Sequence, residues 1–389
     1  MSIADRWLLP DGIEEVLPPR AQNLEFIRRQ LLDLYVSWGY EYVIPPMVEF
    51  LESLLTGTGR DLDLKTFKVT DLESGRMMGI RADITPQVAR IDAHSLNRPG
   101  VVRLCYAGTV LHAKADNMLA SRTPITVGAE MFGESGNAGD LEMVSLMVES
   151  LRTLGIDSVH LELGDVGIFR ELVRLASISA DTEERLFDLI QKKAIPDLKE
   201  VLEQLDIPAF ISQLILELPD LCGNREVLGR ARQLFVDYPG ILARLDNLDE
   251  IARGISGRFE GLDLYFDLSE LRGYNYHTGI VCATYLKGQR IAKGGRYDHI
   301  GEVFGRTRDA TGFDVDIKAL SAHIELTQGE SSRVLAPGAG DQDADRWRKM
   351  NELRAQGYIV IESESVAEHC PYRLEKVSGE WQLLPSGDK

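Results

Sequence analysis

One long helical stretch interrupts a run of predicted strands and constrains the fold more than any other feature of this sequence. Between residues 166 and 258 the hydrophobic residues recur almost entirely at helical spacing, with breaks at Pro196, Pro208 and Pro219. Strand patterns separated by turn residues lie on both sides of this stretch. A chain of this kind keeps one sheet and carries the helices as an insertion. We therefore predict an α+β fold.

The remaining elements follow from hydrophobic periodicity and from turn residues. An amphipathic helix over residues 20–38 ends before Gly39, which suits the left-handed position after a helix. Thr85-Pro86 predicts a helix start, with Thr85 as the N-cap and Pro86 at the first helical position. Further predictions are strands over 40–44, 65–70, 76–81, 101–106, 109–114, 123–132, 262–268, 277–286, 289–293 and 311–315, and helices over 140–154, 297–304 and 317–325.

A polar, turn-rich segment around residues 327–332 predicts a domain boundary. Residues 1–327 form the main domain, and residues 328–389 form a small α/β domain that closes with a hairpin near Ser378-Gly379. The main sheet is predicted to be antiparallel, with flanking helices.

Charge and composition exclude several classes of function. The net charge is −18, from 61 acidic and 43 basic residues without a polybasic run, which disfavours nucleic-acid binding. Neither a membrane-length apolar segment nor a signal peptide is apparent. The four cysteines are widely spaced, which fits reduced thiols in the cytoplasm and argues against a structural zinc site. We expect a cytoplasmic protein without a metal or cofactor.

Two carboxylates are candidate ligand contacts. Asp83 and Thr85 flank a strand end and a helix start, where they can bind an ammonium group or simply cap the helix. Glu130 shares one face of a predicted strand with Thr126, Gly128 and Phe132, where it can accept a hydrogen bond from an imidazole N–H or lie exposed. The residues alone leave both alternatives open.

An arginine and an aromatic segment form a second candidate group. Arg272 can bind a carboxylate through its bidentate fork, or it can be a surface arginine beside an aromatic strand. That strand would place Tyr274 and Tyr276 on one face and His277 on the other. His112 could act as a base, but no serine or cysteine lies in a motif that would make it a nucleophile, which favours a structural histidine. These residues predict an α+β ligand binder and no specific chemistry.

The order of five segments resembles the histidyl-tRNA synthetases, which are class II aminoacyl-tRNA synthetases. The resemblance covers about residues 10 to 325 and implies the class II fold, with a self-dimer formed through motif 1. The segments are Gly39 to Glu49 (motif 1), Ile80 to Pro86, Tyr106 to His112 (motif 2), Leu271 to Gly279 with Gly294 to Asp298 (the histidine-binding signature), and Ala310 to Leu320 (motif 3).

Three departures from the synthetase pattern concern the nucleotide. His112 and Ala319 stand where the motif 2 and motif 3 arginines of the synthetases bind ATP phosphate. Asp316 replaces a glycine and adds negative charge beside that position. Losing both arginines is expected to abolish adenylate formation. A chain with this pattern is identified as a member of the non-catalytic synthetase paralogues that regulate ATP phosphoribosyltransferase.

The resemblance implies a function in the first step of L-histidine biosynthesis. Members of that family activate the short catalytic subunit of ATP phosphoribosyltransferase in a hetero-octamer and transmit feedback inhibition by L-histidine. The implied histidine-binding residues are Asp83, Thr85 and Thr126 for the amino group, Glu130, Tyr276 and His277 for the imidazole, and Arg272 for the carboxylate.

Two other hypotheses remain open at this point. The chain can be an active histidyl-tRNA synthetase with an eroded C-terminal region, which ATP–pyrophosphate exchange would reveal. It can also be a histidine-dependent sensor that controls a different enzyme.

Overall fold

The computed structural model describes residues 7–56, 60–115, 120–324, 333–338, 343–363 and 370–386. The chain forms two compact units, Met1–Ile324 and Glu325–Lys389. Each unit is described by itself below.

The described part of the larger unit contains twelve strands in two sheets. Nine strands form the central sheet in the order β1-β5-β6-β12-β11-β10-β7-β9-β8, and β2, β4 and β3 form a small antiparallel sheet. All neighbouring pairs in the central sheet are antiparallel except β1 with β5 and β7 with β9. The strands are β1 Glu41–Tyr42, β2 Val48–Phe50, β3 Phe67–Thr70, β4 Met77–Ile80, β5 Val102–Thr109, β6 Ile125–Phe132, β7 His160–Asp165, β8 Cys222–Gly223, β9 Asp263–Asp267, β10 Ile280–Leu286, β11 Gln289–Arg296 and β12 Ala310–Asp316.

The helices of this unit flank the sheet and fill the insertion. The predicted stretch 166–258 is helical and lies between β7 and β9, interrupted by the short strand β8. The helices are α1 Arg20–Ser37, α2 Leu51–Leu55, α3 Arg60–Lys65, α4 Thr85–Arg90, α5 Asn137–Thr153, α6 Val166–Ala176, α7 Ala180–Gln191, α8 Ile195–Gln204, α9 Ala209–Glu217, α10 Glu226–Leu234, α11 Pro239–Arg258 and α12 Ile317–Leu320.

Helix α1 illustrates how the apolar pattern sets the packing. It buries Leu24, Ile27, Leu31 and Tyr35 at helical spacing. The Tyr35 ring meets the Phe313 ring on β12 edge to face, with centroids 5.7 Å apart. Since side chains alternate along a strand, α1 covers the face of the sheet opposite to Gly312 and Asp314. That second face carries the candidate site.

Three predicted elements were wrong. Residues 109–114 do not form a strand of their own, because β5 runs on through Thr109 and only an isolated bridge joins Thr66 to His112. Residues 274–278 form a tight turn instead of an aromatic strand. Residues 297–304 contain only a single 3-10 turn over Glu302–Phe304. Val110, Tyr297 and Ile300 are buried in the core beside β5, and Tyr274 packs against Phe169 and Phe187 of the insertion, so the spacing reflects packing and not the period of a regular element.

In its described residues, the smaller unit contains a four-stranded sheet and one helix. Strand order is β14-β13-β15-β16, with β13 parallel to both of its neighbours and β15 antiparallel to β16. Ser378 and Gly379 adopt positive φ angles of 53° and 91°, which two-residue hairpin turns require. The elements are β13 Arg333–Ala336, α13 Ala344–Ala355, β14 Ile359–Glu362, β15 Tyr372–Val377 and β16 Glu380–Pro385.

Among the described residues, none of the helices has both the length and the apolar composition that crossing a membrane requires.

Candidate functional site

Glu130 is the centre of the candidate site. Its side chain lies on β6 and is 1% exposed. The carboxylate accepts hydrogen bonds from the Thr85 hydroxyl at 2.7 Å and the Tyr106 hydroxyl at 3.1 Å. The Tyr297 hydroxyl donates a third hydrogen bond to the other carboxylate oxygen. Three donors from three separate elements therefore fix one carboxylate on the open face of the sheet.

Glycines on the neighbouring strands form the floor of this site. Gly312 of β12 pairs with Glu130, and Gly295 of β11 pairs with Gly312. A β-carbon at Gly295 would lie 2.8 Å from the His277 ring, and one at Gly128 would lie 2.4 Å from the Tyr106 ring. The absence of side chains along this row gives Glu130 and the aromatic rings their room.

Burial changes the protonation of Glu130. It raises the pKa of this carboxyl to about 8, against the opposing effect of its hydrogen bonds from Tyr297, Thr85 and Tyr106. The negative charge of Asp83 raises the pKa further. The carboxyl is therefore mainly protonated at neutral pH in the unliganded chain. A cationic ligand group at this position would favour its ionised form.

Thr85 contributes its hydroxyl to Glu130 and not to a helix cap. Helix α4 begins at Thr85 and follows Ile84, which makes no side-chain cap. The prediction of Thr85 as the N-cap was therefore wrong. The Asp83 carboxylate instead accepts the backbone N–H of Thr85 at 3.0 Å. Asp83 and Thr85 thus hold each other in place at the rim of the Glu130 site.

A glycine turn brings Tyr276 and His277 into the same pocket. Gly273 has φ +74°, and its carbonyl accepts the N–H groups of both Tyr276 and His277. Strand alternation would have separated the two rings, whereas the turn places their centroids 4.2 Å apart. The turn is what makes both rings available to one ligand.

His277 is a buried neutral imidazole. Its Nδ1 lies 3.2 Å from the carbonyl oxygen of Arg296, which can only accept, so the proton is on Nδ1. Burial lowers the pKa of His277 to about 4. Its Nε2 is therefore the acceptor nitrogen of the ring at neutral pH.

The helical insertion anchors the turn from outside. The Arg170 guanidinium on α6 donates to the carbonyl oxygen of His277 at 3.1 Å and to that of Tyr274, and it lies 4.1 Å from the Tyr274 ring centroid. The Tyr274 hydroxyl donates to Glu183 on α7. Two helices of the insertion thereby set the position of residues that line the pocket.

The pocket is small, with a cavity volume of about 30 Å³, and collects five of the seven predicted contacts. Asp83, Thr85, Glu130, Tyr276 and His277 are brought together, and Lys293, Gly294, Tyr297, Gly312, Phe313 and Asp314 complete the lining.

Thr126 and Arg272 are not brought to this pocket. Thr126 lies on the same strand face as Glu130 but four residues away, about 13 Å along the strand, and its hydroxyl donates to the Gly108 carbonyl. The Arg272 guanidinium lies 2.7 Å from a Glu270 carboxylate oxygen and donates to the Tyr285 hydroxyl. It also lies 3.8 Å from the Glu162 carboxylate on β7, which lines a different depression.

Lys293 and Asp314 are pocket residues that the sequence analysis did not select. They face each other across β11 and β12, and the Lys293 ammonium lies 3.6 Å from the Asp314 carboxylate. Burial raises the pKa of Asp314 to about 6, although the Lys293 charge lowers it. Asp314 could have been selected only if the pairing of Gly312 with Glu130 were known, because residues 312 and 314 lie on the same face of a strand.

His112 and Ala319, which the resemblance aligns with two synthetase arginines, have different local roles in the structure. His112 Nε2 lies 3.0 Å from the Ala82 carbonyl oxygen. The backbone N–H of Ala319 donates to the Asp316 side chain, which caps α12 and also accepts from Lys318. Burial raises the pKa of Asp316. The Ala319 position is thus part of the first turn of a short helix that the Asp316 carboxylate caps.

The part of the chain that the structure describes contains no cluster of three or more His, Cys, Asp or Glu side chains suited to a metal ion.

The full length of the chain has curated relatives with one shared name. It is 50% identical to the ATP phosphoribosyltransferase regulatory subunit of Pseudomonas fluorescens and 50% identical to that of Azotobacter vinelandii, and each alignment covers 99% of both chains. This chain belongs to the family of ATP phosphoribosyltransferase regulatory subunits. The family resemblance predicted from the sequence motifs is confirmed.

The fold matches the class II synthetases. The histidyl-tRNA synthetase family model matches residues 12–320. The structure of an ATP phosphoribosyltransferase regulatory subunit/histidyl-tRNA synthetase from Bacillus halodurans superposes with a TM-score of 0.80 at 23% identity, covering 93% of this chain and 94% of that one. A histidyl-tRNA synthetase from a Nostoc species gives 0.77 at 18% identity, covering 97% of each chain. The predicted class II synthetase-like fold is confirmed.

Proposed function

We propose that this chain is the non-catalytic regulatory subunit that activates a short ATP phosphoribosyltransferase catalytic subunit and mediates its feedback inhibition by L-histidine. The observation that carries the proposal is the identity of about 50% over 99% of both chains to relatives named as regulatory subunits. The reaction is the first step of histidine biosynthesis, and this role corresponds to a cytoplasmic protein. The domain division at residue 327, between a synthetase-like domain and a small α/β domain, is part of the same proposal.

The pocket around Glu130 is the proposed histidine site. The imidazole would bind beside the adjoining rings of Tyr276 and His277, with one ring nitrogen toward Glu130. His277 Nε2 can accept a second ring N–H, because its own proton is on Nδ1. The ammonium group would bind Asp83 by a charge-assisted hydrogen bond. Thr85 supports this arrangement by holding Glu130 through its hydroxyl.

The proposal treats the chain as a sensor and not as a synthetase. His112 and Ala319 supply no bidentate cation for a triphosphate, and Asp316 adds a carboxylate near the same position. Removing such phosphate contacts costs several kcal/mol of transition-state stabilisation, on the order of 3 kcal/mol for each donor. An active synthetase is the rival hypothesis. It predicts histidine-dependent ATP–pyrophosphate exchange, and our proposal predicts none.

A self-dimer within a hetero-octamer is the proposed assembly. Strand β1 lies at the edge of the central sheet, where its backbone can pair with another strand. The adjoining segment exposes the apolar side chains of Ile44 (77%), Met47 and Val48. A second copy of this chain would bury that surface through an isologous contact.

Inhibition would follow from linkage between the pocket and the partner. If histidine favours an assembly state in which the catalytic subunit works poorly, the state of the partner must change histidine affinity by the same factor. A coupling of ~1–3 kcal/mol corresponds to inhibition of roughly 5–150-fold.

Phosphoribosyl-ATP formation by the cognate short catalytic subunit is the test. Turnover should increase when this chain is added in stoichiometric amount. No increase, together with a failure of the two proteins to co-elute on size-exclusion chromatography, would contradict the proposal. Such a result combined with histidine binding to the chain would favour the rival hypothesis of a sensor that controls another enzyme.

A further inference from the structure

Lys293 is a cation on the floor of the pocket, next to the proposed histidine contacts. Its side chain is 44% exposed, so a ligand can reach it, and Asp314 is its partner at 3.6 Å. That separation is an ion pair and too long for a hydrogen bond. The ammonium group can therefore turn to a better acceptor without losing a well-formed bond.

The other polar groups of the pocket are suited to cations or are already engaged. Asp83, Glu130 and Asp314 are acidic. The hydroxyls of Thr85 and Tyr297 donate to Glu130. A zwitterionic amino acid needs a positive group for its carboxylate, because a buried unpaired charge is costly. Lys293 is the lining residue that supplies one.

Arg272, the residue predicted from the sequence for this contact, is held elsewhere. Its guanidinium is paired with Glu270 at 2.7 Å and with the Tyr285 hydroxyl at 2.7 Å, and its backbone N–H donates to Glu270 as well. Moving it to the pocket would leave Glu270 without this partner.

We propose that Lys293 binds the carboxylate of the ligand, exchanging Asp314 for it, and thereby makes the pocket selective for the amino acid over imidazole compounds that lack a carboxylate. The inference rests on the proposed function, since it names the contact that gives the histidine site its specificity.

The sheet geometry fits a ligand that bridges Glu130 and Lys293. One strand, β12, separates them, so their backbones lie about 10 Å apart across the sheet and about 7 Å apart along it. Both side chains extend over the same face, above Gly312 and Asp314. An amino acid with its imidazole at Glu130 then presents its carboxylate toward Lys293. Asp314, with its pKa raised to about 6 by burial, can take up a proton when Lys293 turns away.

Calorimetric titration with L-histidine and with L-histidinol, in which an alcohol replaces the carboxylate, tests the proposal. The wild-type chain should prefer histidine by roughly 10–150-fold, the range of a hydrogen bond between charged groups. In Lys293→Met this preference should disappear because histidine affinity falls while histidinol affinity does not. The matched control Arg272→Met should keep the preference.

The double variant Lys293→Met/Asp314→Asn guards against a folding defect caused by an unpaired buried carboxylate, and it should also lose the preference. Retention of the preference in both Lys293 variants, or its loss in Arg272→Met, would overturn the assignment of Lys293. Equal wild-type binding of histidine and histidinol would overturn the carboxylate contact and leave the histidine site standing. Binding of neither ligand would overturn the proposed histidine site itself.

Discussion

Glu130 can lie across the sheet only because the residue paired with it is Gly312. A β-carbon at position 312 would lie 1.5 Å from a Glu130 carboxylate oxygen and 2.8 Å from the Ala129 carbonyl oxygen. The second contact is with backbone, which cannot rotate away. The carboxylate and the glycine therefore form one structural unit, although their positions in the chain, 312 and 130, differ by 182.

Replacing Gly312 with alanine should displace Glu130 and abolish histidine binding. The side chain would lose the positions at which Thr85 and Tyr297 donate to it. The matched control is Gly257→Ala in α11, where a β-carbon meets nothing within 4 Å. That substitution should leave binding intact and stabilise the helix by up to ~1 kcal/mol. Calorimetry and thermal unfolding measure the two effects. Wild-type affinity in Gly312→Ala would contradict this account of the pocket floor.

The raised pKa of Glu130 should make the stability of the chain depend on pH. Between its ordinary pKa of 4.5 and about 8, the folded chain keeps a proton that the unfolded chain has released. The stabilisation of the folded chain by this bound proton is complete below pH 4.5, and the free energy of unfolding falls as the pH rises toward 8. Glu130→Gln removes this titration, so the free energy of unfolding of the variant should fall less steeply with pH than that of the wild-type chain. The two slopes should differ by up to ~1.4 kcal/mol per pH unit. Urea unfolding from pH 5 to pH 8 gives the slopes. Parallel curves for the two proteins would refute the buried titration.

Arg170 should affect histidine affinity from outside the pocket. Arg170→Met removes the donors that hold the carbonyl groups of Tyr274 and His277, and each hydrogen bond to a charged group contributes about 1.5–3 kcal/mol. We expect lower stability and weaker histidine binding. Arg174→Met on the same helix removes only an exposed ion pair with Glu171 and should change either quantity little. Equal behaviour of the two variants in calorimetry would show that the insertion does not position the turn.

The apolar segment after β1 should mediate self-association. Ile44→Lys places a charge on the proposed contact and should shift the chain from dimer to monomer in analytical ultracentrifugation. Phe210→Lys is the matched control, because Phe210 is also exposed, at 58%, but lies on α9 of the insertion. A dimer that survives Ile44→Lys and dissociates with Phe210→Lys would place the interface on the insertion instead.

The sequence predicted the architecture well because the strongest signals were long and periodic. The insertion over 166–258 and helix α1 each present a sustained helical period, and the structure contains both. Short segments were less reliable. Residues 274–278 have the alternating aromatic residues of a strand, but they form a turn that follows the left-handed Gly273. Arg170 and Glu183 hold this turn in place, and contacts so distant in the chain could not be predicted from the local sequence.

The site was predicted only in part, because its members meet through strand pairing. Motif resemblance indicated Asp83, Glu130 and His277, which line the pocket. It could not indicate Lys293, whose place in the pocket depends on the pairing of β11 with β12. Nor could it reveal that Glu270 engages Arg272, since that contact is set by the local turn.

Phosphoribosyl-ATP formation in the presence of histidine tests the central claim most directly. The catalytic subunit would be assayed with wild-type chain and with Glu130→Gln across a range of histidine concentrations. We predict that histidine suppresses turnover with the wild-type chain, and that the half-inhibitory concentration rises by about tenfold or more with Glu130→Gln, a change of ~1.4 kcal/mol in binding. Inhibition curves that coincide for the two chains would contradict a histidine sensor at Glu130.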